Sequence, residues 1–184
     1  MRGPPIASPP RLRGIPTSCS EVAVEEKEME IRVRGIPTDE VDRIRHGGPD
    51  ANGQPALVRV AEGVANPCRH CLGLIAEGAP KLVLAYRPFE APQPYAEIGP
   101  IFLHRDACAR YDGAAVPGWF DYLDPAIVRG YGEDHWIRYD TGHVVRGPEL
   151  AATCEAILRD PTIAYVHVRS KYNCFQCRVD RGRI

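Results

Sequence analysis

The chain has 184 residues, which is enough for one domain with a sizeable core, or for one domain and a tail. Its 23 Lys and Arg residues nearly balance its 24 Asp and Glu residues, which argues against nucleic acid or a membrane surface as a partner. The apolar runs are too short to span a bilayer and no segment is typical of a signal peptide, so we expect a cytoplasmic protein.

The cysteines indicate thiols or metal ligands rather than a disulfide framework, because their number is odd and the chain is of medium size. There are seven: Cys19, Cys68, Cys71, Cys108, Cys154, Cys174 and Cys177.

Residues 1–28 are rich in proline and have no apolar periodicity, which predicts a disordered tail. The pattern changes at Met29. "MEIRVRGI" alternates apolar and charged residues, which predicts a strand. "PTDEVDRIRHGG" then has a proline, early acidic residues, late basic residues and a closing Gly-Gly, which predicts a helix.

Strands are predicted next at "ALVRVA", "KLVLAYRPF" and "GPIFLH". "HWIRY" and "HVVRG" flank Asp140-Thr141-Gly142, which predicts a hairpin. "PELAATCEAILRD" predicts a helix with Cys154 on its apolar face, and "IAYVHVRS" and "YNCFQCRVD" predict two closing strands.

These elements predict an α+β fold, with a mainly antiparallel β-sheet and two or three helices in a single domain over residues 29–184. The strands do not alternate regularly with helices, so a doubly wound parallel sheet is not expected.

Two C-x-x-C units, Cys68/Cys71 and Cys174/Cys177, are the strongest chemical signal in the sequence. Zinc favours four ligands in a tetrahedron, and a tight C-x-x-C turn supplies two of them. The second unit lies in a predicted strand, where residues three apart point to opposite faces. His104 and Cys108, whose spacing puts both on one side of a helical turn, are therefore an alternative second pair. The alternative without a metal is that all these cysteines are reduced and packed in the interior as small hydrophobic residues.

Polar residues inside apolar stretches suggest a second site. His167 and Arg169 share one face of a predicted strand, and Arg87, Tyr95 and His104 lie in or beside a loop rich in proline. Such groups can bind a small anionic ligand, although a solvated face or an ordinary loop would have the same pattern.

Several stretches resemble the bacterial family filed as domain of unknown function 1203: "NPCRHCL", "LAYRPF", "PYAEIGPIFLH", "YVHVRS" and "YNCFQCRV". The resemblance covers roughly residues 29–181 and implies a compact bacterial cytoplasmic domain that starts near Met29. It implies no catalytic residue, cofactor or partner.

Two functional hypotheses follow, beside that of a metal-free domain. The first is a zinc-stabilised binding or regulatory domain with Cys68, Cys71, Cys174 and Cys177 as ligands. The second is an enzyme that acts on a small anionic metabolite, with Arg87 and Arg169 holding the anion and His104 or His167 as acid or base. The sequence does not decide whether the chain is an enzyme.

Overall fold

The computed structural model describes residues 29–182, so the predicted tail at residues 1–28 lies outside the described residues. The described part contains nine strands and two α-helices: β1 (Ile31–Arg34), α1 (Thr38–Arg45), β2 (Leu57–Val60), β3 (Pro80–Tyr86), β4 (Gly99–His104), β5 (Asp112–Gly113), β6 (Ala126–Tyr131), β7 (Ile137–Val145), α2 (Leu150–Leu158), β8 (Tyr165–Ser170) and β9 (Phe175–Arg181). No helix within residues 29–182 is long and apolar enough to cross a membrane.

The strands form two antiparallel sheets. One has six strands in the order β5-β1-β9-β8-β6-β7, and the other has three strands in the order β2-β3-β4. Two short 3₁₀ helices, Gly118–Tyr122 and Gly147–Glu149, complete the secondary structure. The prediction of a mainly antiparallel sheet with two or three helices is confirmed, with two α-helices among the described residues.

One face of the six-stranded sheet is apolar and is covered by α2. The helix buries the residues predicted for its apolar face, Leu150, Cys154, Ile157 and Leu158. They pack against alternate strand residues such as Val33, Val166 and Val179. The two-residue period of a strand places these valines on one side of the sheet and the residues between them on the other.

The opposite face of the same sheet is polar, yet much of it is buried. His167, Arg169, Gln176 and Asp180 are all less than 10% exposed. The segment that follows β3 lies over part of this face, since the Phe89 ring centroid is 5.2 Å from that of His167. We call this side of the six-stranded sheet the polar face.

The three-stranded sheet builds a second core with α1. Acidic residues in the first turn of α1 and basic residues in the last complement the helix dipole, as the sequence predicts. Val41 and Ile44 of α1 share this core with Leu82, Leu103 and other apolar residues. The core holds α1 and the three-stranded sheet together.

The predicted hairpin at Asp140-Thr141-Gly142 is wrong, because β7 continues through these residues. The register between β6 and β7 shifts between Val128 and Gly130, so the turn-like residues lie at a β-bulge. The Thr141 hydroxyl accepts a hydrogen bond from the Gly130 N–H at 2.7 Å and donates one to the Arg138 carbonyl. The strand β6 was not predicted, and Gly130 in its interior weakens the strand pattern and often marks a bulge. Here a Cβ at Gly130 would lie 2.8 Å from Thr141 Oγ1.

We predict that Thr141→Val destabilises the chain by about 1–3 kcal/mol, because the buried Gly130 N–H would lose its partner. Urea denaturation measures this change in the free energy of unfolding. Thr153→Val is the matched control, since that hydroxyl bonds to a carbonyl on the exposed side of α2, and it should change stability by less than about 0.5 kcal/mol. Equal effects of the two substitutions would contradict a structural role for the bulge.

Candidate metal centre and neighbouring cleft

Cys68 and Cys71 lie in a tight loop at residues 67–74, which we call the cysteine loop. Its ends pair through an antiparallel bridge between Pro67 and Leu74, and the Cys68 N–H donates to the Gly73 carbonyl at 2.9 Å. Leu72 has a left-handed φ of 51°, which reverses the chain just after Cys71. The loop therefore presents both sulfurs on one side, as the C-x-x-C spacing predicts.

His104 and Cys108 supply two further ligand atoms. Cys68 bridges to Phe102 of β4, which brings the cysteine loop beside the end of that strand, where His104 lies. One ligand atom from each of Cys68, Cys71, His104 and Cys108 lies within 4.8 Å of the others.

The spacing of these atoms matches a tetrahedral zinc site. Cys71 Sγ is 3.4 Å from His104 Nδ1, and Cys68 Sγ is 4.0 Å from Cys108 Sγ. Zinc–ligand bonds of about 2.0–2.3 Å in a tetrahedron separate neighbouring ligands by roughly 3.5–3.8 Å. Only small movements of the side chains would bring all four atoms onto one ion.

The structure does not bring Cys174 and Cys177 into this group. Cys177 lies on β9 opposite Val168 and is buried in the core beneath α2, with its thiol near Cys154. Cys174 lies in the turn before β9 and is partly exposed. Cys174 therefore lies outside the core that buries Cys177. The alternative pair, His104 and Cys108, takes the place of Cys174 and Cys177.

Further polar groups surround the sulfurs. The His104 N–H donates to Cys68 Sγ at 3.3 Å, and Arg45 Nη2 donates to Cys108 Sγ at 3.2 Å. His70 Nδ1 is also 3.2 Å from Cys108 Sγ, and its other ring nitrogen is 3.0 Å from the Thr38 hydroxyl. Three thiolates around a divalent cation would carry a net charge of −1, and the Arg45 guanidinium lies where it would balance that charge. Groups of this kind orient metal ligands.

The sequence analysis did not identify His70 or Arg45. His70 is fully buried. Its position in the sequence between Cys68 and Cys71 was the only feature that could have pointed to a role beside the sulfurs. Arg45 belongs to the basic last turn of α1, where a cation is expected without any metal.

The thiols differ in acidity. Hydrogen bonds, first from the Cys71 thiol and then from backbone N–H groups, lower the pKa of Cys68 to about 4. The same hydrogen bond, together with burial, raises the pKa of Cys71. Burial is the main cause that raises the pKa of Cys108. Cys68 is therefore the sulfur that ionises first.

A cleft of about 900 Å³ lies beside the metal centre, between α1, the end of β3 and the polar face. Of the five residues predicted to bind a ligand, Arg87 and His167 line this cleft. His104 belongs to the cluster with Cys68, Cys71 and Cys108, and Tyr95 lies towards the surface with its hydroxyl 3.1 Å from that of Tyr139. The residues predicted to bind one ligand therefore do not all line the same site.

Arg169 lines a smaller pocket of about 140 Å³. Its side chain is buried, and Nη1 lies 2.9 Å from Glu97 Oε2 and donates to the Asn173 carbonyl at 3.1 Å. Arg129 also binds Glu97, at 2.8 Å. Burial of a charge requires such pairing, so Arg169 already has a structural role.

His167 is enclosed by aromatic rings and is 2% exposed. The ring centroids of Phe89, Tyr131, Tyr165 and Phe175 all lie within 5.2 Å of its own. Burial, followed by the charges of Arg169 and Arg178, lowers the pKa of His167 well below its ordinary value. The imidazole is therefore neutral, with one nitrogen as donor and the other as acceptor.

Comparison with known proteins gives one family. No curated protein and no solved structure matches the chain. The model of the family described as "Protein of unknown function (DUF1203)" matches residues 65–181, which is more than half of the 184 residues. The match includes the cysteine loop, His104, Cys108 and strands β3 to β9, whereas the resemblance was expected from residue 29. The chain therefore belongs to the DUF1203 family.

Proposed function

We propose that this chain is a zinc-stabilised binding domain in which Cys68, Cys71, His104 and Cys108 hold one structural zinc ion. The observation that carries the proposal is the convergence of four ligand atoms, all within 4.8 Å of one another, from two separate parts of the chain.

The donor set favours zinc over other common metals. Three thiolates and one imidazole are soft or borderline ligands, which Ca²⁺ and Mg²⁺ do not prefer. Zinc is commonly four-coordinate with three Cys and one His in structural sites.

The arrangement favours a structural ion rather than a catalytic one. Four protein ligands fill the tetrahedron, whereas a catalytic zinc keeps one position open for water or substrate. Cys68 is fully buried, and the sulfur of Cys108 already receives hydrogen bonds from its surroundings. These features support an ion that fixes the fold.

The ion would join segments that are far apart in sequence. The cysteine loop and the end of β4 are separated by about thirty residues, and the ion would add bonds between them that the unfolded chain lacks. Metal affinity then contributes directly to folding free energy.

We predict that purified protein contains one zinc ion per chain and that a strong chelator lowers its melting temperature. Cys68→Ser and Cys71→Ser should abolish zinc retention, as measured by elemental analysis, because each removes a thiolate ligand. Cys154→Ser is the control: it should destabilise the core beneath α2 and leave the zinc content unchanged. Protein with far less than one zinc per chain and no response to a chelator would falsify the centre.

A second prediction separates the two possible ligand pairs. His104→Ala and Cys108→Ser should each reduce zinc retention strongly, whereas Cys174→Ser should retain as much zinc as the wild type. Zinc content after dialysis against a weak chelator measures the difference. Loss of zinc in Cys174→Ser, with retention in His104→Ala, would restore the pair of C-x-x-C units as the ligand set.

A third prediction concerns the contact between Gly35, which directly follows β1, and the cysteine loop. A Cβ at Gly35 would lie 1.9 Å from the His70 carbonyl oxygen, so Gly35→Ala must displace the loop. We expect a loss of at least about 1–3 kcal/mol of stability and faster release of zinc to a chelator. Denaturation curves and a colorimetric zinc indicator measure these changes.

Gly99→Ala is the matched control, since nothing lies within 4 Å of a Cβ at that position. Wild-type stability and zinc release in Gly35→Ala would show that the loop can move without consequence for the centre.

A further inference from the structure

The cleft beside the metal centre has an excess of positive charge. Five arginines line it: Arg34, Arg43, Arg87, Arg110 and Arg178. Three carboxylates also line it: Glu40, Asp50 and Glu90. Asp50 accepts hydrogen bonds from the backbone N–H groups of residues 52, 54 and 85. These three donors already stabilise its carboxylate, so it does not need an arginine of the cleft as a partner. Burial is the main cause that raises the pKa of Glu40, which disfavours its negative charge.

Two of these arginines lie side by side on the polar face. Arg34 of β1 is the register partner of Arg178 on β9, and Arg178 is the register partner of His167 on β8. Residues directly opposite on antiparallel strands point to the same face, and like charges in such positions are destabilising. The three side chains therefore form a cross-strand row of two guanidinium groups and one imidazole along one wall of the cleft.

The row is only partly neutralised. Arg34 Nη1 is 3.3 Å and Arg178 Nη2 is 2.7 Å from the carboxylate of Asp180, so two guanidinium groups share one carboxylate. Asp112 lies 3.7 Å from Arg34, but its closest partner is Arg32. An anion in the cleft would supply the charge that this row lacks.

The other three arginines are held by backbone carbonyls. Arg87 Nε donates to the Phe89 carbonyl at 3.2 Å, Arg110 Nε to the Gly35 carbonyl at 3.0 Å and Arg43 Nη1 to the Pro49 carbonyl at 2.6 Å. Among the described residues, none of the three has a carboxylate within 4.0 Å. Each guanidinium is therefore oriented but keeps donors for a ligand, which is the geometry that binds phosphate or carboxylate groups.

A buried nitrogen points to the same conclusion. His167 lines the cleft and is 2% exposed, yet its Nδ1 has no hydrogen-bond partner among the residues that the structure describes. Buried polar atoms are nearly always paired, so an unpaired one beside a cleft indicates a missing partner. The cleft also has apolar walls from Phe89, Phe175 and Leu84. Its volume is within the range of roughly 300–1,000 Å³ that is typical of small-molecule sites.

We propose that this cleft binds a small organic molecule with at least two anionic groups, held by Arg34 and Arg178 on the polar face and by Arg87 at the end of β3. The proposal deepens the function proposed above, because it names the site and the ligand class of the binding domain, and to that extent it rests on that function. Phosphate and carboxylate groups share the chemistry that these arginines recognise.

Isothermal titration calorimetry of the full chain at low and physiological salt tests the proposal. The probes are pyrophosphate and citrate, which represent the two possible anionic groups, and acetate, which carries a single charge. We expect saturable binding of pyrophosphate or citrate, little binding of acetate, and weaker affinity at higher salt. Whichever of pyrophosphate and citrate binds more tightly shows whether the cleft prefers phosphate or carboxylate groups.

We expect Arg34→Gln and Arg87→Gln each to lower the affinity for the more tightly bound of the two probes about tenfold or more. Each substitution removes a charge-assisted hydrogen bond to the anion. Arg32→Gln is the matched control. Arg32 lies two residues from Arg34 on β1, also pairs with Asp112 and has a similar exposure of 41% against 33%, but it does not line the cleft. Its substitution should change affinity by no more than about twofold.

Three results would overturn the proposal: no binding of either polyanion at low salt, an equal loss of affinity in Arg32→Gln, or wild-type affinity in Arg87→Gln. Arg87 makes no salt bridge among the described residues, so it tests the site even if Arg34→Gln fails to fold. Zinc content of the same samples separates the two proposals. A chain without zinc that binds pyrophosphate supports the cleft and overturns the zinc centre, whereas a zinc-loaded chain that binds neither polyanion overturns the cleft alone.

Discussion

The contacts of the cysteine loop are the interaction on which the rest of the structure depends. Its carbonyl groups accept hydrogen bonds from three other segments: Arg69 from the Ile36 N–H, His70 from the Tyr111 N–H and Leu72 from the Trp119 indole. The buried Arg69 side chain donates in turn to the Phe175 carbonyl at the start of β9. Cys68 also bridges to Phe102 of β4, so this short loop connects the segment after β1, the start of β9 and the three-stranded sheet. Its conformation must be fixed, because buried carbonyls without partners would be costly. A metal ion held by Cys68 and Cys71 would fix that conformation directly.

The two faces of the six-stranded sheet differ in composition and in what they contact. The apolar face packs against α2 and supplies the larger core, through alternate valines and Cys177. The polar face carries arginines and His167 into a partly buried region where each charge needs a partner. Glu97 and Asp180 provide some of these partners. The same face also carries the buried rings of Tyr131 and Tyr165, which pack with Phe89 into a small apolar cluster beside the charged groups.

The metal centre and the cleft share structural elements. Arg45 of α1 donates to Cys108, and Arg43, two residues earlier on the same helix, lines the cleft. Arg110 follows Cys108 by two residues and donates to the carbonyl of Gly35, which contacts the cysteine loop. An ion that holds Cys108 would therefore also restrict the position of Arg110. A metal held by the Cys/His cluster would in this way support the cleft without contributing a ligand to it.

The sequence by itself determined the local features: the two-residue alternation of most strands, the two α-helices, the buried face of α2 and the C-x-x-C turn with Cys68 and Cys71. These depend on neighbouring residues and on propensities, which act over short distances. Asp140-Thr141-Gly142 shows where this fails, since the same residues suit a turn or a bulge and only pairing with β6 decides between them. The partners of Cys68 and Cys71 depended on the tertiary structure, because His104 reaches them through the bridge from Cys68 to Phe102, whereas β9 turns Cys177 into the opposite core. The row of Arg34, Arg178 and His167 likewise required the register of three strands that are distant in sequence.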